Sequence, residues 1–239
     1  MIPSRSIMPE KNHIQSMFDS ISGEYDSLNH LLSLGIDKSW RRKAVAEVMK
    51  SAPMRILDAA CGTGDLTVAL AAKAPDGAKV TGVDISKKML AKVGEKAARG
   101  GVIFKIKTEV ADGENLPFVD GSFDAVTCAF GIRNFEHRAR GLAEFLRVLR
   151  PGGKVVILEL SVPQKPGLKR FYNLYLSRIL PLIGGKVSGD PAAYKYLAAS
   201  VNAFPAPERF CAEMSEAGFR SVIFRTFSSG LCRMYIGTK

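Results

Sequence analysis

A glycine-rich turn between a short apolar run and a helical pattern is the strongest chemical signal in the sequence. Residues 55–60 are largely apolar, Gly62 and Gly64 follow in a Gly-x-Gly turn, and residues 65–74 have a helical pattern. Glycines let the backbone pass close to a ligand, and a helix N-terminus presents unpaired N–H groups to an anion. The turn therefore predicts a ligand site at the end of the first strand.

Carboxylates lie at the ends of three successive predicted strands, as Asp58, Asp84 and Asp112. Open α/β sheets bind ligands outside the carboxyl ends of their strands, where Asp84 can accept both hydroxyls of a ribose and Asp112 an adenine amino group. A dinucleotide turn has a third glycine where this chain has Thr67. Asp58 suits the cationic part of a ligand better than a pyrophosphate. Together these features predict S-adenosylmethionine, which has a carboxylate, an ammonium and a sulfonium but no phosphate.

Each of these features also has a simpler explanation. Gly-x-Gly turns are often only tight connections, and strand-end aspartates often cap helices. Cys61, inside the turn, is expected to pack as a small residue and not to act as a nucleophile. The order of the turn and the three acids along the sheet favours a cofactor site.

Strand and helix patterns alternate along most of the chain, which predicts a parallel sheet covered on both faces. Strands are expected at residues 55–60, 79–84, 102–110, 123–129 and 154–160, and helices at 65–74, 87–98 and 137–149, the last stopped by Pro-Gly-Gly at 151–153. A helix at 205–217 precedes two strand-like runs, at 221–227 and 231–238, which form a hairpin signal.

This outline is typical of a class I methyltransferase. We expect one Rossmann-like α/β domain over residues 1–239, with a mostly parallel seven-stranded sheet and a C-terminal antiparallel hairpin. Residues 13–50 are expected to form an N-terminal helical segment, and residues 162–204 a lid-like insertion.

Composition is that of a soluble globular protein, with 46% hydrophobic and 24% charged residues. No apolar run approaches the roughly eighteen residues of a membrane-spanning helix, and the polar N-terminus lacks the apolar core of a secretory signal. A cytoplasmic protein is therefore expected. The four cysteines and three histidines have neither disulfide nor metal-ligand spacing, so we predict no metal site.

The formal net charge of +11 predicts an anionic partner, which can be a nucleic acid, a membrane surface or an acidic ligand. Residues 162–195 contain six basic residues and one acid. Within this stretch, residues 168–183 combine high apolar content with basic flanks. They predict a lid over the acceptor that also touches the inner face of a membrane. An amphipathic helix packed on the core is the alternative.

Three segments resemble the menaquinone/ubiquinone biosynthesis C-methyltransferase family. Residues 25–40, YDSLNHLLSLGIDKSW, resemble its N-terminal signature, residues 147–161, RVLRPGGKVVILELS, its second signature, and residues 130–134, FGIRN, its fourth strand end. The resemblance covers nearly the whole chain, although Pro-Gly-Gly alone is shared by many methyltransferases. It implies methylation of a ring carbon of a polyprenylated quinol, converting demethylmenaquinol to menaquinol, or of a benzoquinol in ubiquinone synthesis.

The resemblance also implies cofactor positions. Thr63, Asp84, Asp112 and Gly113 match those of the family, whereas Ala129 stands where some relatives have a serine that can bond the cofactor. The complete predicted cofactor set is Asp58, Gly62, Thr63, Gly64, Asp84, Ile85, Asp112, Gly113 and Ala129.

Candidate catalytic residues follow the fourth strand and lie in the N-terminal segment. Ionising a phenol of pKa about 10 at pH 7 costs about 4 kcal/mol, so we expect Arg133 to stabilise the developing quinolate and Asn134 to orient a hydroxyl or a water. Alternatively, Arg133 only pairs with a neighbouring acid. Tyr25, Asp26 and His30 are expected to close the site, with His30 or a water as the base, although His30 could equally be a cap or surface residue.

Three other classes of protein share parts of this pattern. The missing third glycine and Asp58 disfavour a nicotinamide oxidoreductase. A nucleic-acid methyltransferase suits the basic charge, but the residues after the fourth strand are not a Pro-Pro-Tyr-type loop, and we expect no nucleic-acid partner. A binding protein that retains only the fold would bind the cofactor without turnover. The sequence leaves open whether the protein forms a homodimer.

Overall fold

The computed structural model describes residues 11–23, 25–26, 33, 35–175 and 191–239. Its strands are β1 (Arg55–Ala59), β2 (Lys79–Asp84), β3 (Ile106–Val110), β4 (Phe123–Ala129), β5 (Leu149–Leu160), β6 (Arg220–Phe227) and β7 (Cys232–Thr238). They form a seven-stranded sheet in the order β3-β2-β1-β4-β5-β7-β6. Strands β1 to β5 pair in parallel, and β7 is antiparallel to both β5 and β6. The predicted class I fold is confirmed.

Helices cover both faces and the carboxyl edge of this sheet. They are α1 (Lys11–Ile21), α2 (Ile36–Met49), α3 (Asp65–Lys73), α4 (Lys87–Arg99), α5 (Arg138–Val148), α6 (Pro166–Leu174), α7 (Pro191–Ala203) and α8 (Pro207–Glu216). Among the described residues, no helix combines the length and the apolarity needed to cross a membrane.

The segment predicted to be helical, residues 13–50, contains more than one helix, and residues 25–26 between α1 and α2 are also helical. The helix α1 ends at Ile21, and α2 begins only at Ile36. Gly35 has a φ of 74°, in the left-handed region that helical residues do not adopt, so the chain is redirected immediately before α2. Residues 24, 27–32 and 34 of this segment lie outside the described residues.

Two other element boundaries also differ from the prediction. Residues 103–105 form a 3₁₀ turn, and pairing of β3 with β2 starts only at Ile106, opposite Val80. The Pro-Gly-Gly sequence lies inside β5, because Leu149 already pairs with Phe123 before the register moves to Ala125 opposite Lys154. The helix stops there as predicted, but the strand begins five residues earlier than Lys154.

The core consists of two layers, one on each face of the sheet. Side chains alternate along a strand, so Leu57 enters the layer under α5 and α8 while its neighbour Ile56 enters the layer under α2 and α3. Phe145 and Phe210 are fully buried in the first layer, and Leu70 is fully buried in the second. These layers hold the parallel strands rigidly, which fixes the positions of the residues at their carboxyl ends.

Helix α1 lies across the carboxyl ends of β2 and β3. The Gln15 side chain donates a hydrogen bond of 3.0 Å to the carbonyl of Ile85. Lys11 forms an ion pair with Asp112, and the Ser86 hydroxyl donates to Asp19. A third apolar cluster joins α1 to α7 through Ile21, Ala193 and Val201. The N-terminal segment therefore forms one wall of the space above the sheet edge.

Candidate functional site

A cleft of about 960 Å³, including space open to solvent, lies at the carboxyl ends of β1 to β4. The predicted site residues that line it are Tyr25, Asp58, Gly62, Thr63, Asp84, Ile85, Asp112, Gly113, Ala129 and Asn134. Six carboxylates face it, from Asp58, Asp65, Asp84, Asp112, Glu114 and Glu136. The described lining does not include Gly64 or Arg133, and His30 lies outside the described residues.

The glycine turn is held in place by Asp84. The Asp84 carboxylate accepts hydrogen bonds from the backbone N–H of Gly62 at 2.8 Å and of Ser86 at 2.9 Å. Burial raises the pKa of Asp84, partly offset by these hydrogen bonds. Gly64 has a φ of 84° before α3, and a Cβ there would lie 2.8 Å from Val93. Gly64 therefore allows the backbone to form the turn, whereas Gly62 and Asp84 lie at the cleft surface.

Asp58 is a buried carboxylate at the end of β1, only 1% exposed. The hydroxyls of Thr67 and Thr127 donate to its two oxygens at 2.6 and 2.7 Å. Burial raises its pKa to about 6, because the low-dielectric interior disfavours the charged form. Thr67, which occupies the position of the third dinucleotide glycine, therefore orients an acid instead of opening space for a phosphate.

The end of the cleft at β3 is formed by Asp112 and Gly113. One Asp112 oxygen accepts from the Glu114 N–H at 2.9 Å, and the other pairs with Lys11 of α1. A Cβ on Gly113 would lie 2.5 Å from the Phe135 ring, which therefore requires a glycine there. Glu114 in turn accepts from the N–H groups of Glu136 and His137 at 2.8 and 3.0 Å.

A network of ion pairs and hydrogen bonds joins the N-terminal segment to the glycine turn. The sequence did not predict this network. The ammonium of Lys96, on α4, lies 2.6 Å from Asp26, 2.5 Å from Asp65 and 2.9 Å from the hydroxyl of Thr63. Thr63 donates to Asp26 at 2.5 Å. Lys96 is separated by 31 or more positions from each partner, and no local pattern marks it. This network positions Tyr25, the neighbour of Asp26, at the cleft.

Arg133 lies in the 3₁₀ turn after β4, where it is paired with a buried acid. Its Nη1 donates to Glu159 at 2.8 Å and also to the carbonyl of Phe130. Burial disfavours the charged guanidinium, but the Glu159 carboxylate raises the pKa of Arg133 above its ordinary value. The side chains of Arg133 and Glu159 are 6% and 0% exposed. The buried Nε of Arg133 has no hydrogen-bond partner in the described part of the chain.

Asn134 faces the cleft and is held from the other side by α7. The Tyr196 hydroxyl donates to Oδ1 of Asn134 at 3.0 Å. Burial raises the pKa of Tyr196, while the charge of Arg133 lowers it and that of Glu159 raises it further. The sequence did not identify Tyr196 as a site residue, because it lies 62 positions from Asn134 in a segment with no recognisable motif.

The donor set fits S-adenosylmethionine. Asp84 and Asp112 line the cleft at the carboxyl ends of the adjacent strands β2 and β3, as a ribose and an adenine amino group require. Asp58 is a buried acid beside the glycine turn, where a cation would stabilise its charged form. The described residues contain no group of three His, Cys, Asp or Glu side chains able to hold a metal ion.

The fold and the cleft together define a class I S-adenosylmethionine-dependent methyltransferase. A solved S-adenosylmethionine-dependent methyltransferase from Thermotoga maritima has the same fold, with a TM-score of 0.62 at 21% identity over 94% of this chain and 99% of the other. The model of the ubiE/COQ5 methyltransferase family matches residues 7–239, and the chain belongs to that family.

Two relatives match almost end to end. The demethylmenaquinone methyltransferase of Thermus thermophilus is 47% identical over 223 residues, which are 93% of this chain and 100% of the relative. The ubiquinone/menaquinone biosynthesis C-methyltransferase UbiE of Geotalea daltonii is 45% identical over 226 residues, which are 95% of this chain and 96% of the relative. The family resemblance predicted from the sequence is thereby confirmed.

Proposed function

We propose that this chain transfers a methyl group from S-adenosylmethionine to a ring carbon of demethylmenaquinol, forming menaquinol. The observation that carries the proposal is the 47% identity, over the full length of the relative, to a protein named demethylmenaquinone methyltransferase. The name of the Geotalea relative includes ubiquinone, so a polyprenyl methoxy-benzoquinol is the second candidate acceptor.

S-adenosylmethionine, when bound, supplies an electrophilic methyl group on a sulfonium. Asp84 and Asp112 would hold its adenosyl part, and Asp58 and Thr63 would lie beside its methionine part. Gly62, Gly64, Ile85, Gly113 and Ala129 complete the proposed set. Because Asp58 is buried and anionic, it favours a cationic ligand at this position.

The acceptor would lie beside Asn134 and Tyr25, which face the cleft. Tyr196 occupies the carbonyl oxygen of Asn134, which leaves the amide N–H groups to donate to an acceptor hydroxyl. Such a donor stabilises a developing quinolate more than the neutral quinol. It also holds the ring carbon in line, which contributes several kcal/mol in well-oriented reactions.

Arg133 would stabilise the developing negative charge of the quinolate from a buried position. Its Nε is an unpartnered buried donor among the described residues, and such donors are rare in stable proteins. Because Arg133 is not part of the described cleft lining, it would act on the quinolate through its charge and not by direct contact. Glu159 fixes the guanidinium, so no side-chain ordering is needed during reaction. His30 or a water is the proposed base that takes the quinol proton.

An anaerobic assay tests the reaction. Purified protein is mixed with labelled S-adenosylmethionine and a reduced short-chain demethylmenaquinone, and the quinone fraction is analysed by mass spectrometry. One added ring methyl is expected. No transfer, with cofactor binding measured separately, would contradict the proposed acceptor. A parallel reaction with the benzoquinol separates the two candidates.

We also propose that the lid segment delivers the quinol from the inner face of a membrane. Lys165, Lys169 and Arg170 are exposed at α6, as is 46% of Leu174, while residues 176–190 lie outside the described part of the chain. Basic and apolar groups on one helix suit an anionic bilayer.

Flotation with anionic vesicles is expected to carry the protein upward, and replacing the three cations by glutamate is expected to prevent it. Failure of the unmodified protein to float, even with quinol present, would contradict the proposal. Gel filtration tests whether the protein forms a homodimer.

A further inference from the structure

The excess of carboxylates in the cleft disfavours one group of its cofactor, the α-carboxylate of S-adenosylmethionine. Two cations, Lys11 and Arg41, line the cleft in the described residues, against the six carboxylates named above. The sulfonium and the ammonium of S-adenosylmethionine suit such a site. Its α-carboxylate is repelled there unless a cation meets it, because like charges at close range disfavour one another.

The sheet order assigns the two cations to opposite ends of the cleft. Lys11 pairs with Asp112, at the end of β3, where the adenine is expected. Arg41 lies 5.1 Å above the ring of Phe130, the residue after β4, and its Nη2 is 3.8 Å from Asp65 at the start of α3. Because β2 and β1 lie between β3 and β4, Arg41 is at the methionine end.

Arg41 is held in a fixed orientation by two neighbours, Asp37 and Phe130. Its Nη1 donates to the buried Asp37 one turn earlier in α2. Its guanidinium stacks on Phe130, whose own φ of 61° is a conformation that aromatic residues rarely adopt. Trp40 packs against the same ring, with the ring centroids 6.3 Å apart. The Arg41 side chain is only 13% exposed, and Arg41 is among the residues that line the cleft.

The guanidinium has donors left for a ligand. Among the described residues, the Arg41 side chain forms a hydrogen bond only with Asp37. The distance from Nη2 to Asp65 is too long for a second hydrogen bond. A guanidinium has five N–H donors in a planar fork that matches a carboxylate.

We infer that Arg41 binds the α-carboxylate of S-adenosylmethionine and so determines the specificity of the site for the amino-acid end of the cofactor. The inference rests on the proposed function only for the identity of the cofactor and is independent of the acceptor. The simpler alternative is that Arg41 stabilises α2 by pairing with Asp37.

Calorimetric titration without acceptor separates these alternatives. S-adenosylmethionine is compared with decarboxylated S-adenosylmethionine, which retains the adenosyl, sulfonium and ammonium groups but lacks the carboxylate. Arg41→Met is expected to weaken binding of S-adenosylmethionine roughly 10- to 100-fold, the range for hydrogen bonds to a charged group. Its affinity for the decarboxylated ligand is expected to stay within about threefold of the unmodified protein.

Two further variants complete the test. Arg42→Met removes the exposed neighbour on the same helix and is expected to bind both ligands normally. Arg41→Lys keeps the charge but not the fork and is expected to be intermediate for S-adenosylmethionine, and it replaces Arg41→Met if that variant does not fold. Equal losses for both ligands would overturn the inference alone. Failure of the unmodified protein to bind S-adenosylmethionine would overturn the cofactor assignment as well.

Discussion

The hydroxyl of Tyr196 donates a hydrogen bond of 3.0 Å to the side-chain oxygen of Asn134, across 62 positions of the chain. This contact ties α7, which lies in the segment predicted to be a lid-like insertion, to the turn that follows β4. It also orients the Asn134 amide, since the oxygen is occupied and the N–H groups remain for an acceptor. The helix α7 is therefore connected directly to the proposed reaction site.

Replacing Tyr196 by Phe is expected to lower kcat/KM about fivefold while leaving the Kd for S-adenosylmethionine unchanged. The variant loses one neutral hydrogen bond, whose net contribution is about 1 kcal/mol, and Asn134 is then free to rotate. Steady-state kinetics and calorimetry provide the two values. Asn202→Ala, an exposed change on the same helix, is the matched control. An equal fall in cofactor affinity would assign Tyr196 a general structural role.

Replacing Arg133 by Ala is expected to reduce turnover at least 100-fold with nearly normal cofactor affinity. The change also leaves the Glu159 carboxylate buried without its partner, which costs about 3 kcal/mol of unfolding free energy. The double variant with Glu159→Gln removes that buried charge and is expected to recover most of the stability but not the turnover. Urea unfolding and kinetics are measured together. Wild-type turnover in either variant would exclude the proposed role of Arg133.

Cofactor affinity is expected to fall as the pH is lowered through 6, because Asp58 has a pKa of about 6 in the folded protein. Protonation removes the charge that faces the cationic ligand, so binding at pH 5 should be roughly tenfold weaker than at pH 7. The stability effect has the opposite sign. Since the ordinary pKa is 3.8, the contribution of Asp58 to stability is fully present below pH 3.8 and is lost as the pH rises through 6.

Calorimetry between pH 5 and pH 7 measures this binding profile in the unmodified protein and in Asp58→Asn. The variant should bind more weakly at pH 7 and show little pH dependence. Burial raises the pKa of Asp84 as well. A steep profile that persists in Asp58→Asn would therefore assign the titration to Asp84.

Replacing Gly113 by Ala is expected to destabilise the protein by about 1–3 kcal/mol and to weaken cofactor binding. The added Cβ would lie 2.5 Å from the Phe135 ring, which must shift into the cleft or the core. Gly94→Ala is the control, since nothing lies within 4 Å of a Cβ there. In the helix α4 this change is expected to stabilise by about 0.5–1 kcal/mol. Thermal unfolding distinguishes the loss of stability expected for Gly113→Ala from the gain expected for Gly94→Ala.

Much of the cofactor half of the site could be predicted because its residues are marked locally. Gly62, Gly64 and Asp84 stand at strand ends that apolar runs reveal, and parallel strands must bring those ends to one edge. The pattern over residues 13–50 predicted helical structure but did not mark the redirection before α2, because the left-handed conformation of Gly35 is not recorded by a helical periodicity. The role of His30 stays a prediction.

The sequence by itself determined the order of strands and helices, the glycine turn and the acids beside it, because these depend on residues near one another in the chain. Only the tertiary structure decided which distant side chains meet them. Lys96 reaches Asp26 and Asp65, Tyr196 reaches Asn134, and Arg133 reaches Glu159. Such partners are chosen by how helices pack on the sheet and by the need of each buried charge for an opposite charge, and neither leaves a local pattern.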